Sequence, residues 1–323
     1  MPPGLPEPLD QELLAWAAGF FDGEGTTIAR TDSRRPDYFQ LDVSVPQSGP
    51  HGVPEVLLKF QRAVVGVGFI YPQPGGDKYK WCAGGRVAAE MTLALIWPWL
   101  GPVKRAQAEA AFDVVDRQYA EARYRARAPR NRPTFIGHNA AISKGPRRLE
   151  LAWAAGFLDA EGYFGLPRKY ERSDGSIGFV TRASATQHSV PGIPADVLTK
   201  LQRTLGVGRI ERHGAPDDFK WVAEGVVNVN AVVDMVRPWL GPVKTIQAAA
   251  ALTTAESSRL RGDAERCVRG HVYDRVYLRP DGGIHQICNA CDRMNERIKR
   301  AASGSKPRRL RNPSTDPSRV YVS

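Results

Sequence analysis

The sequence is poor in cysteine and contains no long apolar segment. Four cysteines in 323 residues are too few for the disulfide frameworks of small secreted domains. No apolar run approaches the roughly 20 residues that a membrane span needs. The N-terminal segment MPPGLPEPLDQE lacks the positive and apolar regions of a secretory signal. We therefore expect an intracellular, cytoplasmic protein with no membrane partner.

An excess of basic over acidic residues is confined to two parts of the chain. The net charge is +11, yet residues 1–116 carry 10 basic and 14 acidic side chains, and residues 149–254 carry 11 of each. Residues 117–148 carry 9 basic and 1 acidic, and residues 255–323 carry 15 and 8. This segregation favours a polyanionic partner that is held partly by appended segments, although a merely solvated linker would have the same composition.

One motif occurs twice in the chain. LAWAAGFFDGEG at 14–25 returns as LAWAAGFLDAEG at 151–162, GVG at 66–68 returns at 206–208, and PWLGPVK at 98–104 returns at 238–244. The offset is 137 residues at the motif and 140 from residue 47 onward, so one three-residue insertion accounts for both values. A repeat of this kind indicates a duplicated domain. Two such halves facing each other can form a site on the pseudo-two-fold axis between them.

Each repeat predicts the element order αββαββα and therefore an α+β fold. A helix over 11–22 precedes the strands, and the segment 38–45 alternates between apolar and polar residues as a half-buried strand does. Two such antiparallel sheets placed side by side would form a curved, eight-stranded saddle. We expect one repeat at 1–126, a basic linker at 127–148, the other repeat at 149–256, a zinc-stabilised module at 257–302 and a disordered basic tail at 303–323.

The duplicated helix carries the chemistry. Gly19 and Gly156 occupy matching places inside the two helices, where glycine costs about 1 kcal/mol relative to alanine. Small residues spaced by four let helix backbones approach closely, so we expect the two helices to pack together. Their C-terminal ends then bring Glu24 and Glu161 together, against both mutual repulsion and the helix dipole. A hard divalent cation such as Mg²⁺ offsets both effects; the alternative is a pair of solvated helix-end residues.

At these residues the sequence resembles a known family. AAGFFDGEG and AAGFLDAEG are similar to the two signatures of the single-chain LAGLIDADG homing endonucleases, and the similarity covers about residues 10–254. The resemblance implies a monomer, without an obligate protein partner, that cuts long, nearly palindromic double-stranded DNA with Mg²⁺ or Mn²⁺ and leaves 3′ overhangs. For the cytoplasmic location we expect a bacterial or phage origin.

The resemblance assigns roles residue by residue. The last acid of each motif binds the catalytic metals, with the preceding residue as a further ligand, which gives Glu24, Glu161, Gly23 and Ala160. Asp22 and Asp159 are structural at the helix ends. Polar residues that support the water network correspond to Gln47 and Gln187, and basic residues that activate water or steady the phosphate correspond to Lys104 and Lys244. The alternatives are strand-end capping for the glutamines and ordinary surface positions for the lysines.

Base recognition is expected from the polar faces of the strands, because a β-ribbon fits the major groove of DNA. In the first repeat strand alternation selects Thr26, Arg30, Tyr38, Gln40, Ser44, Tyr71, Gln73, Lys78 and Lys80. In the second it selects Arg168, Arg182, Ser184, Arg209, Glu211, His213 and Lys220. The two sets differ in chemistry, so we expect the two DNA half-sites to differ as well.

The C-terminal segment has the spacing of a zinc site. Cys267 and His271 are followed by Cys288 and Cys291, and together they complete a tetrahedral Zn²⁺ ligand set. His285 is an alternative fourth ligand, and disulfide pairing is the competing interpretation. The segment resembles small zinc-binding knuckles appended to phage and bacterial nucleases. The remaining cysteine, Cys82, is expected to be an unreactive thiol.

These observations predict a site-specific, metal-dependent endonuclease for double-stranded DNA. The alternative is a LAGLIDADG protein that binds without cutting, such as an RNA maturase or a DNA-binding regulator. A purely structural zinc-stabilised adaptor would leave the paired carboxylates unexplained.

Overall fold

The computed structural model describes residues 9–32, 34–121, 147–171, 177–260, 269, 271–278 and 284–302. The first repeat contains α1 (Gln11–Glu24), β1 (Thr26–Asp32), β2 (Arg35–Ser48), α2 (Glu55–Ala63), β3 (Phe69–Pro72), β4 (Lys78–Gly84), α3 (Arg86–Ile96) and α4 (Pro102–Ala120). The second contains α5 (Arg147–Glu161), β5 (Gly162–Glu171), β6 (Ile177–His188), α6 (Asp196–Leu205), β7 (Arg209–Arg212), β8 (Asp218–Glu224), α7 (Val226–Val236) and α8 (Pro242–Leu260). A C-terminal segment adds β9 (Arg275–Leu278), β10 (Ile284–Ile287) and α9 (Asn289–Ala302).

The predicted α+β class and the repeated element order are confirmed. Each repeat follows αββαββ and closes with two helices, which the order αββαββα counts as one; in the first repeat both were expected, near 87–97 and 104–126. The four-stranded sheets have the orders β1-β2-β4-β3 and β5-β6-β8-β7, and β9 pairs with β10 in a two-stranded sheet. Most of the predicted linker and all of the predicted tail, 303–323, lie outside the described residues.

The described residues form two compact units. One comprises Met1–Gly162, Ser184–Val222 and Asp234–Lys244, and the other comprises Tyr163–Ala183, Ala223–Val233 and Thr245–Ser323. The first unit contains α1, α5 and every residue that the sequence nominates for catalysis. Within the part of the chain described, no helix has the length and apolar character that crossing a membrane demands.

The core of the first unit is built around α1 and α5. Asp10 caps α1, and its side chain accepts hydrogen bonds from the backbone N–H groups of Glu12 and Leu13, both at 3.0 Å. A Cβ atom on Gly19 would lie 1.9 Å from the carbonyl oxygen of Trp153. A Cβ on Gly156 would meet the carbonyl oxygen of Trp16 at the same distance. The prediction that the two helices pack backbone to backbone is therefore confirmed.

The constant offset of 140 residues is wrong across one helix. Equivalent N-cap positions are Pro54 before α2 and Ala195 before α6, an offset of 141 residues. The first repeat has one additional residue after its helix, Val65, which has a left-handed φ of 51°. This residue restores the offset of 140 at the GVG turn. In the second repeat Gly206, with φ of 69°, ends the helix directly. An alignment of the two repeats with a fixed offset of 140 therefore misaligns α2 and α6 by one residue.

Candidate active site

The C-terminal ends of α1 and α5 hold the two predicted metal-binding glutamates. Glu24 and Glu161 are the last residues of their helices. Next to them Gly23 approaches Ala160 so closely that a Cβ on Gly23 would lie 2.4 Å from the Cβ of Ala160 and 3.0 Å from Cγ of Glu161. The backbone contact at Gly19 and Gly156 thus places the two carboxylates side by side.

Both glutamates have raised pKa values. Burial first, and then the negative charge of Glu24, raise the pKa of Glu161 to about 7. Burial also raises the pKa of Glu24, which nearby polar and basic groups partly offset. Both carboxylates are thus withdrawn from water, and that of Glu161 is also crowded by the like charge of Glu24.

Each glutamate is hydrogen-bonded by the glutamine that the sequence nominates. Gln47 donates to the carboxylate of Glu24, and Gln187 donates to that of Glu161. Gln47 lies in β2 opposite Tyr79 of β4, two residues beyond the buried Val45. The alternative role of strand-end capping does not describe these contacts, because the amides reach the carboxylates.

The two nominated lysines lie against the same carboxylates. Lys104 and Lys244 are the third residues of α4 and α8, directly after the PWLG turns. Lys104 Nζ donates to the carbonyl oxygen of Gly25 at 2.6 Å, and Lys244 Nζ donates to that of Gly162. Burial lowers the pKa of both lysines, while Glu24 and Glu161 act on both in the opposite direction. The structure therefore brings all six predicted catalytic residues together.

Asp22 and Asp159 fix the turns that precede the lysines. Each carboxylate accepts a bifurcated hydrogen bond from a backbone N–H, at 2.8 and 3.0 Å from Gly101 to Asp22, and at 2.9 and 2.8 Å from Gly241 to Asp159. Gly101 and Gly241 stand immediately before α4 and α8. The exposed fractions of Asp22 and Asp159 are only 2% and 5%. These acids thus connect each motif helix to the helix that carries a site lysine.

The same aspartates also bridge the two repeats. Trp153 Nε1 donates to Asp22 and Trp16 Nε1 donates to Asp159, both at 2.8 Å. The pKa of Asp159 is raised to about 6, because burial outweighs the opposing hydrogen bonds from Trp16 and Gly241. The sequence identified these acids as structural, but the tryptophan contacts that cross between repeats were missed.

Solved structures share this arrangement of helices and sheets. The LAGLIDADG homing endonuclease I-GzeII in complex with its DNA target is 15% identical, with 80% of this chain and 94% of that chain aligned at a TM-score of 0.57. I-LtrWI bound to target DNA is 14% identical, with coverages of 78% and 92% and a TM-score of 0.56. Meganuclease I-SmaMI bound to uncleaveable DNA is 17% identical, with coverages of 78% and 97% and a TM-score of 0.53.

The chain has the LAGLIDADG homing endonuclease fold. Identities of this size establish the fold alone. No protein-family model matches the sequence, and no curated protein is similar to it. The likeness is thus visible in the backbone and in the two short motifs, while most other positions differ.

The register of the first LAGLIDADG sheet places the predicted DNA-reading residues on one face. Thr26 pairs with Ser44, Arg30 pairs with Gln40, and Tyr71 pairs with Lys80. Paired residues point to the same side of a sheet. Strand alternation therefore selected residues that share one face of this sheet, and their role in reading DNA stays a prediction.

Exposure differs among the nominated residues. Most have at least part of their side chain at the surface; the set is Thr26, Arg30, Tyr38, Gln40, Tyr71, Gln73, Lys78, Lys80, Arg168, Arg182, Arg209, Glu211, His213 and Lys220. Ser44 and Ser184 are only 4% and 3% exposed. For these two serines the prediction of base contact needs correction, because so little of each side chain can reach DNA.

The sequence analysis missed a buried acid on the first face. Asp42 is 3% exposed, and its carboxylate lies 3.8 Å from Arg30 Nε and 3.9 Å from Lys80 Nζ. Cys82 Sγ donates to it at 3.2 Å. Burial and Asp42 raise the pKa of the Cys82 thiol to about 11, so the thiol remains protonated at neutral pH. The residue of the second repeat that corresponds to Asp42 is Arg182, whose guanidinium forms an ion pair with the carboxylate of Glu224 at 2.5 Å.

Three of the four predicted zinc ligands lie together. The donor atoms of His271, Cys288 and Cys291 are all within 4.8 Å of one another, and His271 Nδ1 is 3.4 Å from Cys291 Sγ. Neither Cys288 nor Cys291 is in a disulfide. Cys267 lies outside the described residues, as does the side chain of His285. The group has the composition of a zinc-binding site with one ligand unassigned.

Proposed function

We propose that the protein is a site-specific endonuclease that hydrolyses double-stranded DNA with a divalent metal ion and leaves 3′ overhangs. The observation that carries this proposal is the duplicated cluster of glutamate, glutamine and lysine where α1 and α5 end. Each member of one set has its counterpart in the other, and both sets meet at one carboxylate pair. Two similar sets of groups suit two similar reactions, one on each DNA strand.

The donor groups at the pair fit Mg²⁺ or Mn²⁺. Glu24 and Glu161 offer carboxylate oxygens, the ligands that these hard cations prefer, with Gly23 and Ala160 next to them. Part of the raised pKa of Glu161 comes from the charge of Glu24. A cation held by both would replace that repulsion by attraction. When bound, it would polarise the phosphate, lower the pKa of a water molecule and stabilise the leaving oxygen.

The side chains around the pair have distinct tasks in hydrolysis. Gln47 and Gln187 hold the carboxylates by hydrogen bonds and so fix their orientation. Lys104 and Lys244 place ammonium groups beside the scissile phosphate, where positive charge stabilises the transition state. Water attacks phosphorus in line with the leaving oxygen, so one P–O bond forms while another breaks.

We propose that the polar sheet faces read the two DNA half-sites. Arg30, Gln40, Lys78 and Lys80 in the first repeat, and Arg182 and Lys220 in the second, carry donors that suit base edges and phosphates. The basic segments at 117–148 and 255–323 add affinity that does not depend on sequence, because phosphate contacts release counterions.

Cleavage of a randomised DNA library tests the proposal. Duplexes with randomised segments are incubated with the full chain and Mg²⁺, and cut ends are sequenced on both strands. We expect one family of long, nearly palindromic sites, cut on both strands to leave 3′ overhangs. A protein that selects a site from the library by binding but cuts no duplex would instead be a DNA-binding regulator or a maturase.

We also propose that the C-terminal cluster binds Zn²⁺ through Cys267, His271, Cys288 and Cys291. Metal analysis of the purified chain should give one zinc per molecule, and Cys288→Ser or Cys267→Ser should remove it. Cys82→Ser is the matched control, since this cysteine lies far from the cluster in sequence and is hydrogen-bonded to Asp42. Full zinc content in Cys267→Ser would exclude that residue and direct attention to His285.

A further inference from the structure

Two lysines outside the proposed catalytic set occupy equivalent places in the two repeats. Lys59 is the fifth residue of α2, and Lys200 is the fifth residue of α6. Burial lowers the pKa of each to about 8. A buried ammonium group is costly, and an unbranched apolar side chain would occupy the same volume without that cost. Their presence in both repeats therefore calls for a specific role.

Each of these lysines contacts a tryptophan ring and a backbone carbonyl. Lys59 Nζ lies 3.9 Å from the ring centroid of Trp16 and donates to the carbonyl oxygen of Trp239. Lys200 Nζ lies 3.8 Å from the ring centroid of Trp153 and donates to the carbonyl oxygen of Trp99 at 2.7 Å. A cation over an indole face is stabilised by the ring quadrupole, and more so when it is withdrawn from water.

The carbonyl that each lysine contacts belongs to the opposite repeat. Trp239 precedes Gly241, the glycine whose N–H donates to Asp159, and Asp159 in turn accepts from the Trp16 ring under Lys59. Lys59, Trp16, Asp159 and the Trp239–Gly241 segment thus form a closed network. An equivalent network joins Lys200, Trp153, Asp22 and the Trp99–Gly101 segment.

Each network ends at the start of a helix that carries a site lysine. Lys244 follows Gly241 by three residues, and Lys104 follows Gly101 by three. The carbonyl at one end of the turn is held by a lysine, while the N–H at the other end is held by an aspartate. A turn anchored at both ends has little freedom to move the side chain that follows it.

We propose that Lys59 and Lys200 are positioning residues, each of which orients the site lysine of the opposite repeat from a distance. Lys59 acts on Lys244, and Lys200 acts on Lys104. This inference rests on the proposed nuclease function, because the role of Lys104 and Lys244 belongs to that function. It explains why a half-buried cation occupies the same place in both repeats.

Strand-resolved cleavage tests the proposal with Lys59→Met and Lys200→Met, which remove the charge and the donor but keep an unbranched chain. The selected duplex carries a different fluorophore on each strand, and single-turnover rates are measured with Mg²⁺ in excess. The duplication gives one site lysine for each of the two DNA strands. Each variant should therefore slow the cleavage of one strand about tenfold more than that of the other. The two variants should affect opposite strands, with duplex affinity in metal-free buffer within about twofold of wild type.

The matched controls are Arg62→Met and Arg203→Met, which remove exposed cations one turn along α2 and α6. They should cut both strands at wild-type rates. Equal slowing of both strands by the lysine variants, an identical strand bias in both, or unchanged rates would overturn the positioning role. If a methionine variant shows no cooperative thermal unfolding, the glutamine variant is measured by the same criteria. A wild-type protein that cuts nothing contradicts the proposed function, whereas a cutting enzyme with unbiased variants contradicts only this inference.

Discussion

The α1–α5 pair and the sheet faces show opposite degrees of likeness between the two repeats. At the helix pair, contacts recur with nearly identical geometry. Gly19 and Gly156 each meet a tryptophan carbonyl, and Asp22 and Asp159 each accept from a tryptophan and a glycine. On the sheets, Asp42 lies near two cations, while the matching residue Arg182 pairs with Glu224.

This contrast separates two physical demands. The helix pair has to assemble one site from two equivalent sets of groups, and close packing leaves few alternatives there. The sheet faces are partly exposed, so their side chains vary without loss of the fold. We conclude that the chemistry of the protein is duplicated, whereas its surface for a partner is not.

The largest expected effect tests whether the two carboxylates are equivalent. Glu24→Gln and Glu161→Gln should each reduce the single-turnover cleavage rate about 10³-fold or more, because each removes one carboxylate charge from the proposed metal site. Duplex affinity should change little, since neither carboxylate lies on the sheet face. Rate and affinity are measured on the same duplex. Rapid cutting by one variant would show that the pair is not functionally symmetric.

The second test concerns the symmetry of packing. Gly19→Ala and Gly156→Ala should each lower the free energy of unfolding by about 3 kcal/mol, because overpacking against a backbone carbonyl outweighs the roughly 1 kcal/mol that alanine gains in a helix. Gly84→Ala, where a Cβ would meet nothing within 4 Å, is the control. Chemical denaturation measures all three. If one of the two helix substitutions lowered the unfolding free energy by much less than the other, the helices would be in tight contact at only one of the two glycines.

A third test uses pH to detect the crowding of the carboxylates. The pKa of Glu161 is about 7 in the folded protein against an ordinary value of 4.5. Between these values the folded state binds more protons than the unfolded state, so ionisation of Glu161 destabilises the protein as pH rises. In buffer without Mg²⁺ or Mn²⁺, Glu161→Gln should exceed wild type in unfolding free energy by about 2 kcal/mol at pH 8. The gain should vanish near pH 4.5.

The control for this pH test is Glu109→Gln, which removes one carboxylate from an exposed position of α4. Denaturation midpoints between pH 4 and 8 give the comparison. A Glu161→Gln difference that stays constant across this range would show that the carboxylate is not withdrawn from water.

The smallest expected effect is a change in base preference, caused by substitutions on the two sheet faces. Asp42→Asn should release Arg30 and Lys80 and alter base preference at a few positions of one half-site by about 1 kcal/mol. Arg182→Gln should alter preference only in the other half-site. Library sequencing of cleaved sites measures both. Changes spread over both half-sites would contradict a division of recognition between the repeats.

Sequence reasoning recovered what repetition and periodicity encode. The duplicated motif predicted the helix contact at Gly19 and Gly156, and strand alternation predicted the face of Thr26, Arg30 and Lys80. Alternation gives the direction of a side chain but not its depth, so the burial of Ser44 and Ser184 was missed. Asp42 was not among the nominated residues, and only the structure reveals its burial and its neighbours.

The lysine networks could not be found from the sequence. Lys59 and Lys200 are separated by 141 residues, so a fixed offset of 140 does not pair them. Their partners are backbone carbonyls of Trp239 and Trp99, which have no signature in side-chain patterns. A contact to a main-chain atom of a distant turn depends on the folded arrangement alone.

The bare backbone at Gly19 and Gly156 limits how this protein can be recombined. Each glycine accommodates the main chain of the other helix, so the packing surfaces of the two helices are complementary in shape. A chimera that joins residues 1–126 to a second half from another protein would assemble only if the motif helix of that half had a glycine at the position of Gly156. Engineers who exchange halves to reach new DNA sites should therefore graft the sheet faces and leave both motif helices in place.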